Sequence, residues 1–470
     1  MKKKHIHFVG IKGVGMTALA IYAKEKGYFV TGSDVDEEFV TDFMLNKFKI
    51  PVASGFEKFD KNFHPDLAIV TGAHGGMTNP EAISLSLAGV EVITHGQALG
   101  RFMKGTLGIS VAGVGGKTTV SAMAATVLTQ AGLQPSYAVG VGSINPLGQP
   151  GHYGQSKYFI VEADEYASCP KTDLTPRFLY QEPTIEIITN IEYDHPDLYK
   201  TFEDTKTAFT SFINKLPQND GLLIINKDNA NNNKMLASIA RKFITYGFSG
   251  DADYQIERIR FSEGQTYFTV KNGNLKLGDF TIKTPGKFNA LNALSVIILG
   301  IQLGIPVARL QRLVPEFLGT KRRFEFIGEK NCIKLYDDYA HHPNEIQMTL
   351  MAIRQWFPKT KIICIFQPHT YSRTKALLPQ FARSFGFADR AFILPIFSSA
   401  REVEDLSINS SILTCEISKF HPQTTYVSNN NILLDSLGKE LDNNSLIITM
   451  GAGDIYKLDD QIMEIIKTNN

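Results

Sequence analysis

The stretch "GISVAGVGGKTTVSAMAATVLTQAG", residues 108–132, decides how this chain is read. An apolar run, a glycine-rich turn and an Ala-rich pattern of helical period follow one another, which is the order strand, loop, helix. At such a junction backbone N–H groups and the positive end of the helix converge on an anion. The full phosphate-loop pattern asks for a glycine five positions before the Gly-Lys pair, and Val111 stands there instead. The loop is a short one, running from Gly113 through Gly116 and Lys117 to Thr118 and Thr119. It is expected to cradle phosphate, with Lys117 along the β- and γ-phosphates and the hydroxyl of Thr118 or Thr119 on Mg²⁺. The plainer alternative is a glycine-rich turn with a solvated lysine.

The same grammar recurs on either side. "HIHFVG", "KYFIVEAD", "IEIITN", "KIICIF" and "SLIITM" are short apolar runs, each followed by an Ala- or Leu-rich stretch, and read as buried parallel strands of an α/β protein. Residues 251–283 differ: alternation with Gly and Asn turns predicts antiparallel strands appended to a middle domain. A chain of 470 residues needs more than one core. Boundaries are expected just before the short phosphate loop and at "FLGTKRRFEF", giving domains over 1–104, 105–317 and 318–470. The expected classes are a Rossmann-like N-terminal domain, a central P-loop ATPase-type α/β domain and a C-terminal Rossmann-like α/β domain.

Composition excludes several function classes. A net charge of +1 with 20% charged residues provides no global field to draw nucleic acid or an anionic membrane, so anion binding must be local. The four cysteines, Cys169, Cys332, Cys364 and Cys415, lack metal-like spacing and fit a reducing compartment. The basic start is not read as an export signal because Lys12 breaks its apolar stretch, and no run is long enough to span a bilayer. A cytoplasmic protein is expected, a monomer or homodimer.

Polar residues then cluster at strand ends, where open parallel sheets bind ligands. "EADEY" places Glu162, Asp164 and Glu165 after one strand, and "TNIEYDHPD" places Asn190, Asp194 and His195 after another. Glu162 is the natural ligand for a hard cation, with His195 serving a second ion. "GKFNALNAL" sets Asn289 and Asn292 on one helical face, suited to an adenine edge, although Asn289 equally suits a helix cap. The basic run Lys321-Arg322-Arg323 reads most plainly as solvated surface, although an arginine delivered from a neighbouring domain could stabilise charge on a transferring phosphoryl group. "DDYAHHP" adds Asp338, His341 and His342, and "FQPHTYSRT" adds His369 and Arg373, the latter a fork for a carboxylate. In the first domain Gly10, Gly13 and Gly15 with Asp34 satisfy a dinucleotide fingerprint, compatible with NAD, with a UDP sugar, or with a bare turn.

Taken in order, "GIKGVGM", "EADE", "TNIEYDH", "KRRFE", "DDYAHHP", "FQPHTYSRT" and "MGAGDI" resemble the signatures of the Mur ligase family, ATP-dependent enzymes of peptidoglycan precursor synthesis, from end to end of the chain. The likeness is strongest to the branch that joins L-alanine to UDP-N-acetylmuramate. The branch that reattaches a recycled tripeptide shares "EADEY" and "DDYAHHP" but differs at "QPHTYSRT". The resemblance implies that Gly10, Gly13, Gly15 and Asp34 take the UDP moiety. It further implies that Gly113, Gly116, Lys117, Thr118 and Thr119 hold ATP, that Thr118, Glu162 and His195 hold Mg²⁺, and that Asn289 and Asn292 flank adenine. Arg323 would reach the γ-phosphate and Asp338 the ribose, while His341, His369 and Arg373 would serve substrate. Catalytic roles would fall to Lys117, His195, Arg323 and His369. The chain departs from the family at Val114 and Gly115, which stand where Thr-His is usual, and at Phe288, which replaces a His. Retained ATP binding is expected. Two readings of other classes stand beside this one: a nicotinamide-dependent oxidoreductase and a nucleotide-binding regulator without turnover.

Overall fold

The computed structural model describes residues 3–56, 63–262, 264–398 and 405–468. The chain gathers into two compact units, the first made of Met1–Arg258, Phe268–Thr281 and Ala290–Leu318, the second of Ile259–Tyr267, Ile282–Asn289 and Gly319–Asn470. Three α/β sheets are distributed over them.

The first sheet has five parallel strands in the spatial order Val52–Ser54, Phe29–Asp34, His5–Val9, Leu67–Val70, Val92–Thr94. His5–Val9 is central and buried nearly throughout, as an apolar run in a doubly covered parallel sheet must be. Its chain turns at Gly10, φ +79°, and enters the helix Val14–Glu25. A side chain at Gly10 would overlap Thr71, so this glycine answers to packing as well as to its left-handed backbone.

The central sheet runs to ten strands. Leu107–Ala112 lies between Tyr158–Ala163 and Ile185–Ile188, all parallel, and the order continues through Leu222–Asn226 and Phe243–Gly247. Every residue of Ile185–Ile188 is buried. Beyond Phe243–Gly247 come Tyr254–Ser262, Gln265–Asn272 and Leu275–Ile282 in succession. The last two are neighbours joined by a short turn at Gly273, φ +56°, a connection that only an antiparallel pair permits. The Asn-rich run at 229–236 forms the helix Ala230–Leu236, capped by the Asn229 side chain.

Within this unit the first two sheets are packed on each other. Tyr22, on the helix after the glycine turn, stacks on Phe159 of the central sheet with ring centroids 4.7 Å apart. Glu25, on the same helix, accepts from the backbone N–H of Tyr153 at 2.9 Å and pairs with His152 Nδ1 at 2.6 Å. Thr94 and Ser168 share a buried hydroxyl contact at 2.6 Å.

In the second unit a six-stranded sheet has the order Glu325–Lys330, Ile333–Asp338, Ser445–Met450, Lys361–Phe366, Arg390–Ile393, Thr424–Tyr426. All its pairs are parallel except that of Glu325–Lys330 with Ile333–Asp338. Ser445–Met450 is wholly buried, so "SLIITM" is the middle of a core. Among the described residues no helix is long and apolar enough to cross a membrane.

Candidate active site

The glycine loop ends the strand Leu107–Ala112 and opens the helix Lys117–Gln130. Gly113 has φ +131° and Gly116 φ +88°, backbone that only glycine adopts without strain. Gly116 stands at the helix cap with no side chain closing the end. Helix geometry leaves the amides of Lys117, Thr118 and Thr119 without partners inside the helix. The amides of Val114 and Gly115 point elsewhere: the first donates to Asn190 O at 3.1 Å, the second to Asn190 Oδ1 at 2.9 Å. The cradle expected over the whole glycine run is therefore narrower, and consists of the helix end itself.

Lys117 is part-buried beside acids. Its Nζ lies 2.8 and 3.1 Å from the two oxygens of Glu165, whose side chain is 2% exposed. Burial works against the ammonium, but the charges of Glu165 and Asp164 outweigh it and raise the Lys117 pKa above its ordinary value. Asp164 carries a second cation, Arg177 Nη1 at 2.7 Å. Burial opposes its ionisation, and the charges of Arg177, Lys117 and His195 overcome that and hold the carboxyl far below the usual range.

His195 sits at φ +55°, a left-handed conformation uncommon for residues other than glycine and one that clusters at functional positions. That backbone brings Nε2 to 3.8 Å from Glu165 and 3.7 Å from Asp194, with the ring against Tyr166. Asp164, Glu165 and His195 form a group whose ligand atoms lie within 4.8 Å of one another. Two carboxylates and an imidazole suit a divalent cation, and their spacing admits one. Glu162, expected as the direct ligand, is not a member of that group, although its charge acts on Lys117. Thr118 is buried at the start of the helix.

The paired asparagines separate in role. Asn289, inside the helix Lys287–Gln302, donates Nδ2 to Pro285 O at 2.8 Å, a local tie to the turn before the helix. Asn292 lies against the loop: a Cβ on Gly116 would be 2.8 Å from its Oδ1.

In the first sheet Gly13 and Gly15 have ordinary backbone, and a Cβ would meet nothing closer than 3.7 Å at Gly13 and 3.4 Å at Gly15. Neither packing nor conformation demands glycine there, so the surface is left clear for a ligand's close approach. Asp34, expected to meet the UDP moiety, is also engaged by its own turn. Its oxygens accept the N–H groups of Lys12 at 2.6 Å and Val35 at 2.8 Å, which fixes the turn. The acids that line the adjoining cleft of about 310 Å³ are Asp36 and Asp42, with Lys12, Asn46 and Ser54. His95, at the end of the fifth strand, meets Gly15 O through Nε2 at 3.2 Å. Burial, then the Arg177 charge, lower its pKa to about 4.

The basic run in the second unit divides three ways. Lys321 makes a surface pair with Glu325 at 3.7 Å. Arg322 is buried, bonding Asp337 at 2.9 Å, Gly453 O at 3.0 Å and Gly451 O at 2.6 Å, so it ties down the "MGAGDI" loop. Arg323 remains part-exposed, over the Tyr339 ring at 5.1 Å and 3.8 Å from Glu345. His341 lies 3.4 Å from the same glutamate and 6.2 Å, ring to ring, from His369. Burial opposes ionisation of Glu345, but His341 and Arg323 bring its pKa down to about 2. Arg323, His341 and His369 thus gather at one place. Thr370, beside His369, is held at φ +72°, and Arg373 is buried one turn on. Asp338, expected to meet a ribose, accepts the backbone N–H groups of Phe324 at 2.8 Å and Ala340 at 2.7 Å. Burial raises its pKa to about 6.

Sequence reasoning missed Glu165 as the Lys117 partner, Arg177 as the Asp164 partner, and the hold of Asn190, which follows Thr189, on the loop amides. Only the last had a signal, a polar pair directly after a buried strand.

Family comparison places these features. Residues 5–106 match the profile described as Mur ligase family, catalytic domain, residues 111–300 the Mur ligase middle domain, and residues 322–453 the Mur ligase, glutamate ligase domain. The UDP-N-acetylmuramate–L-alanine ligase of Desulfitobacterium hafniense is 39% identical over 460 residues, 97% of this chain and 98% of that protein. The chain belongs to the Mur ligase family. The ligase of the same name from Desulforapulum autotrophicum is 36% identical over 466 residues, 99% of each chain. Among solved structures, a UDP-N-acetylmuramate-alanine ligase from Thermotoga maritima is similar with a TM-score of 0.80 at 25% identity, over 99% of this chain and 100% of that one. A murein peptide ligase from Psychrobacter arcticus shares the fold, with a TM-score of 0.72 at 23% identity over 99% of each chain. The three-domain α/β Mur ligase fold read from the sequence is thereby established.

Proposed function

We propose that this Mur ligase joins L-alanine to the carboxylate of UDP-N-acetylmuramate, with ATP cleaved to ADP and phosphate. The observation that carries the reading is Lys117 at an open helix end beside the Asp164, Glu165 and His195 group, in a chain similar over its whole length to ligases of that name.

A carboxylate does not acylate an amine at useful rate, because it is a poor electrophile. In the proposed path the muramate carboxylate oxygen attacks the γ-phosphorus, the bond to the β-γ bridging oxygen breaks, and ADP leaves. The alanine amine then attacks the acyl phosphate carbon, losing a proton, and phosphate departs with the electron pair of the C–O bond. Two like unit charges 4 Å apart at an effective dielectric of about 20 repel by about 4 kcal/mol, so bringing carboxylate to triphosphate needs fixed cations. Lys117 and the amides of the helix end supply them on the nucleotide side. Within the second unit Arg323 is the corresponding fixed cation, and His369 and Arg373 there would serve the amino acid. Asp164, Glu165 and His195, with Glu162 and the Thr118 hydroxyl, would hold Mg²⁺, which supplies charge neutralisation to phosphate oxygens when bound. Lys117 must then exchange Glu165 for phosphate.

Gly13 and Gly15 leave the UDP diphosphate room at the start of their helix, and the cleft at Lys12 and Asp36 takes the nucleoside. The test is phosphate release over a panel of amino acids and the tripeptide. Release with UDP-N-acetylmuramate and L-alanine together, and with neither alone, supports the reading. Release with the tripeptide and not with alanine transfers it to the recycling branch, and nicotinamide binding without release transfers it to an oxidoreductase.

A further inference from the structure

The inner part of the phosphate loop has no polar side chain of its own, since Val114 and Gly115 occupy it. Its order comes from the next strand. Asn190, just past Ile185–Ile188, takes Gly115 N–H on Oδ1 at 2.9 Å and Val114 N–H on its carbonyl at 3.1 Å. Thr189 Oγ1 lies 2.6 Å from Gly115 O, so residue 115 is gripped through both its N–H and its C=O. The same hydroxyl is 3.2 Å from Asn190 Oδ1, but its one proton goes to Gly115 O at the shorter distance. The approach is too close for any residue but glycine at 113, where a Cβ would stand 2.8 Å from Asn190 O and 2.9 Å from Asn190 N.

We propose that Asn190 is a positioning residue for the nucleotide. By turning the amides of Val114 and Gly115 toward the strand, it leaves the helix end and Lys117 as the anion-facing set and fixes them before the nucleotide arrives. A loop already ordered does not lose conformational entropy on binding, and that difference appears as affinity. The proposal rests on the nucleotide reading above and adds to it a residue that contacts neither phosphate nor metal.

The experiment compares the full chain with its Asn190→Ala variant, titrated with ADP and Mg²⁺ in the absence of acid and amino acid. Loss of one hydrogen bond to a loop otherwise held in place is expected to weaken ADP by roughly tenfold. KM for ATP rises in step, while KM for the other two substrates stays as in the native chain. Unchanged ADP affinity, or a uniform loss across all three KM values and kcat as general unfolding would give, overturns the proposal. Amide exchange on the native chain gives a second test that needs no variant: Val114 and Gly115 are protected before ADP and unaltered by it, and Lys117 to Thr119 gain protection. Protection of Gly115 that appears only with ADP overturns the proposal. A native chain that binds no ADP sinks the nucleotide reading and this proposal together, whereas native binding with an unaffected variant sinks this proposal alone.

Discussion

Replacing Lys117 with alanine tests the site's electrostatics apart from its chemistry. The Lys117 ammonium lies 2.8 Å from a carboxylate that is 2% exposed, so removing it strands a buried negative charge. Breaking one side of such a pair costs about 3–5 kcal/mol, because the remaining charge has lost water and gained nothing. For a large domain each kcal/mol moves Tm by about 2–4 °C, so a drop on the order of 10 °C is expected. The double variant Lys117→Ala/Glu165→Gln removes the stranded charge as well and should regain most of that loss. Nucleotide binding should not return with it, since the phosphate partner is still gone. The assay is thermal melting of native, single and double variants with and without ADP and Mg²⁺. At neutral pH the pair's contribution is complete: a raised lysine pKa stabilises below the unfolded value and is lost only as pH climbs through the folded one. A single variant as stable as the native chain, or a double variant no more stable than the single, would refute the argument.

Gly15→Ala should fold normally, because its Cβ meets only His95 at 3.4 Å, yet lose affinity for the UDP-linked acid; calorimetric titration with UDP reads this directly. His95, with its pKa lowered to about 4 against 6.5 when unfolded, makes the protein lose stability as pH falls from about 6.5 to 4, since the unfolded chain takes up the proton first. Melting temperature against pH should show that slope, and His95→Gln should flatten it. Burial, with the neighbouring Asp337 charge, raises Asp459 to about 8, so the sign reverses: the folded chain holds its proton longer, and stability falls as pH rises from about 4 to 8. Asp459→Asn should remove that fall, measured the same way.

What could be read in advance follows from how local each feature is. "HIHFVG", "GISVAG" and "SLIITM" announce buried strands because a doubly covered strand must be apolar at every position. Gly116-Lys117-Thr118 announces a helix start because the left-handed backbone at Gly116 is written in the residue type. Partners distant along the chain leave no such mark. Nothing near Lys117 says that Glu165 will neutralise it, and nothing in Lys321-Arg322-Arg323 says which arginine is buried on Gly451 and Gly453. Asp34 and Asp338 carry a second partnership that the sequence does not announce: their carboxylates accept backbone N–H groups of adjoining turns.

The central claim is that the acid is activated as an acyl phosphate at the Lys117 loop. Turnover with UDP-N-acetylmuramate carrying ¹⁸O in its carboxylate, followed by mass analysis of the released phosphate, tests it most directly. The account predicts that each phosphate carries one carboxylate oxygen, and that Lys117→Ala releases none. Phosphate free of the label, formed at the native rate, would contradict it.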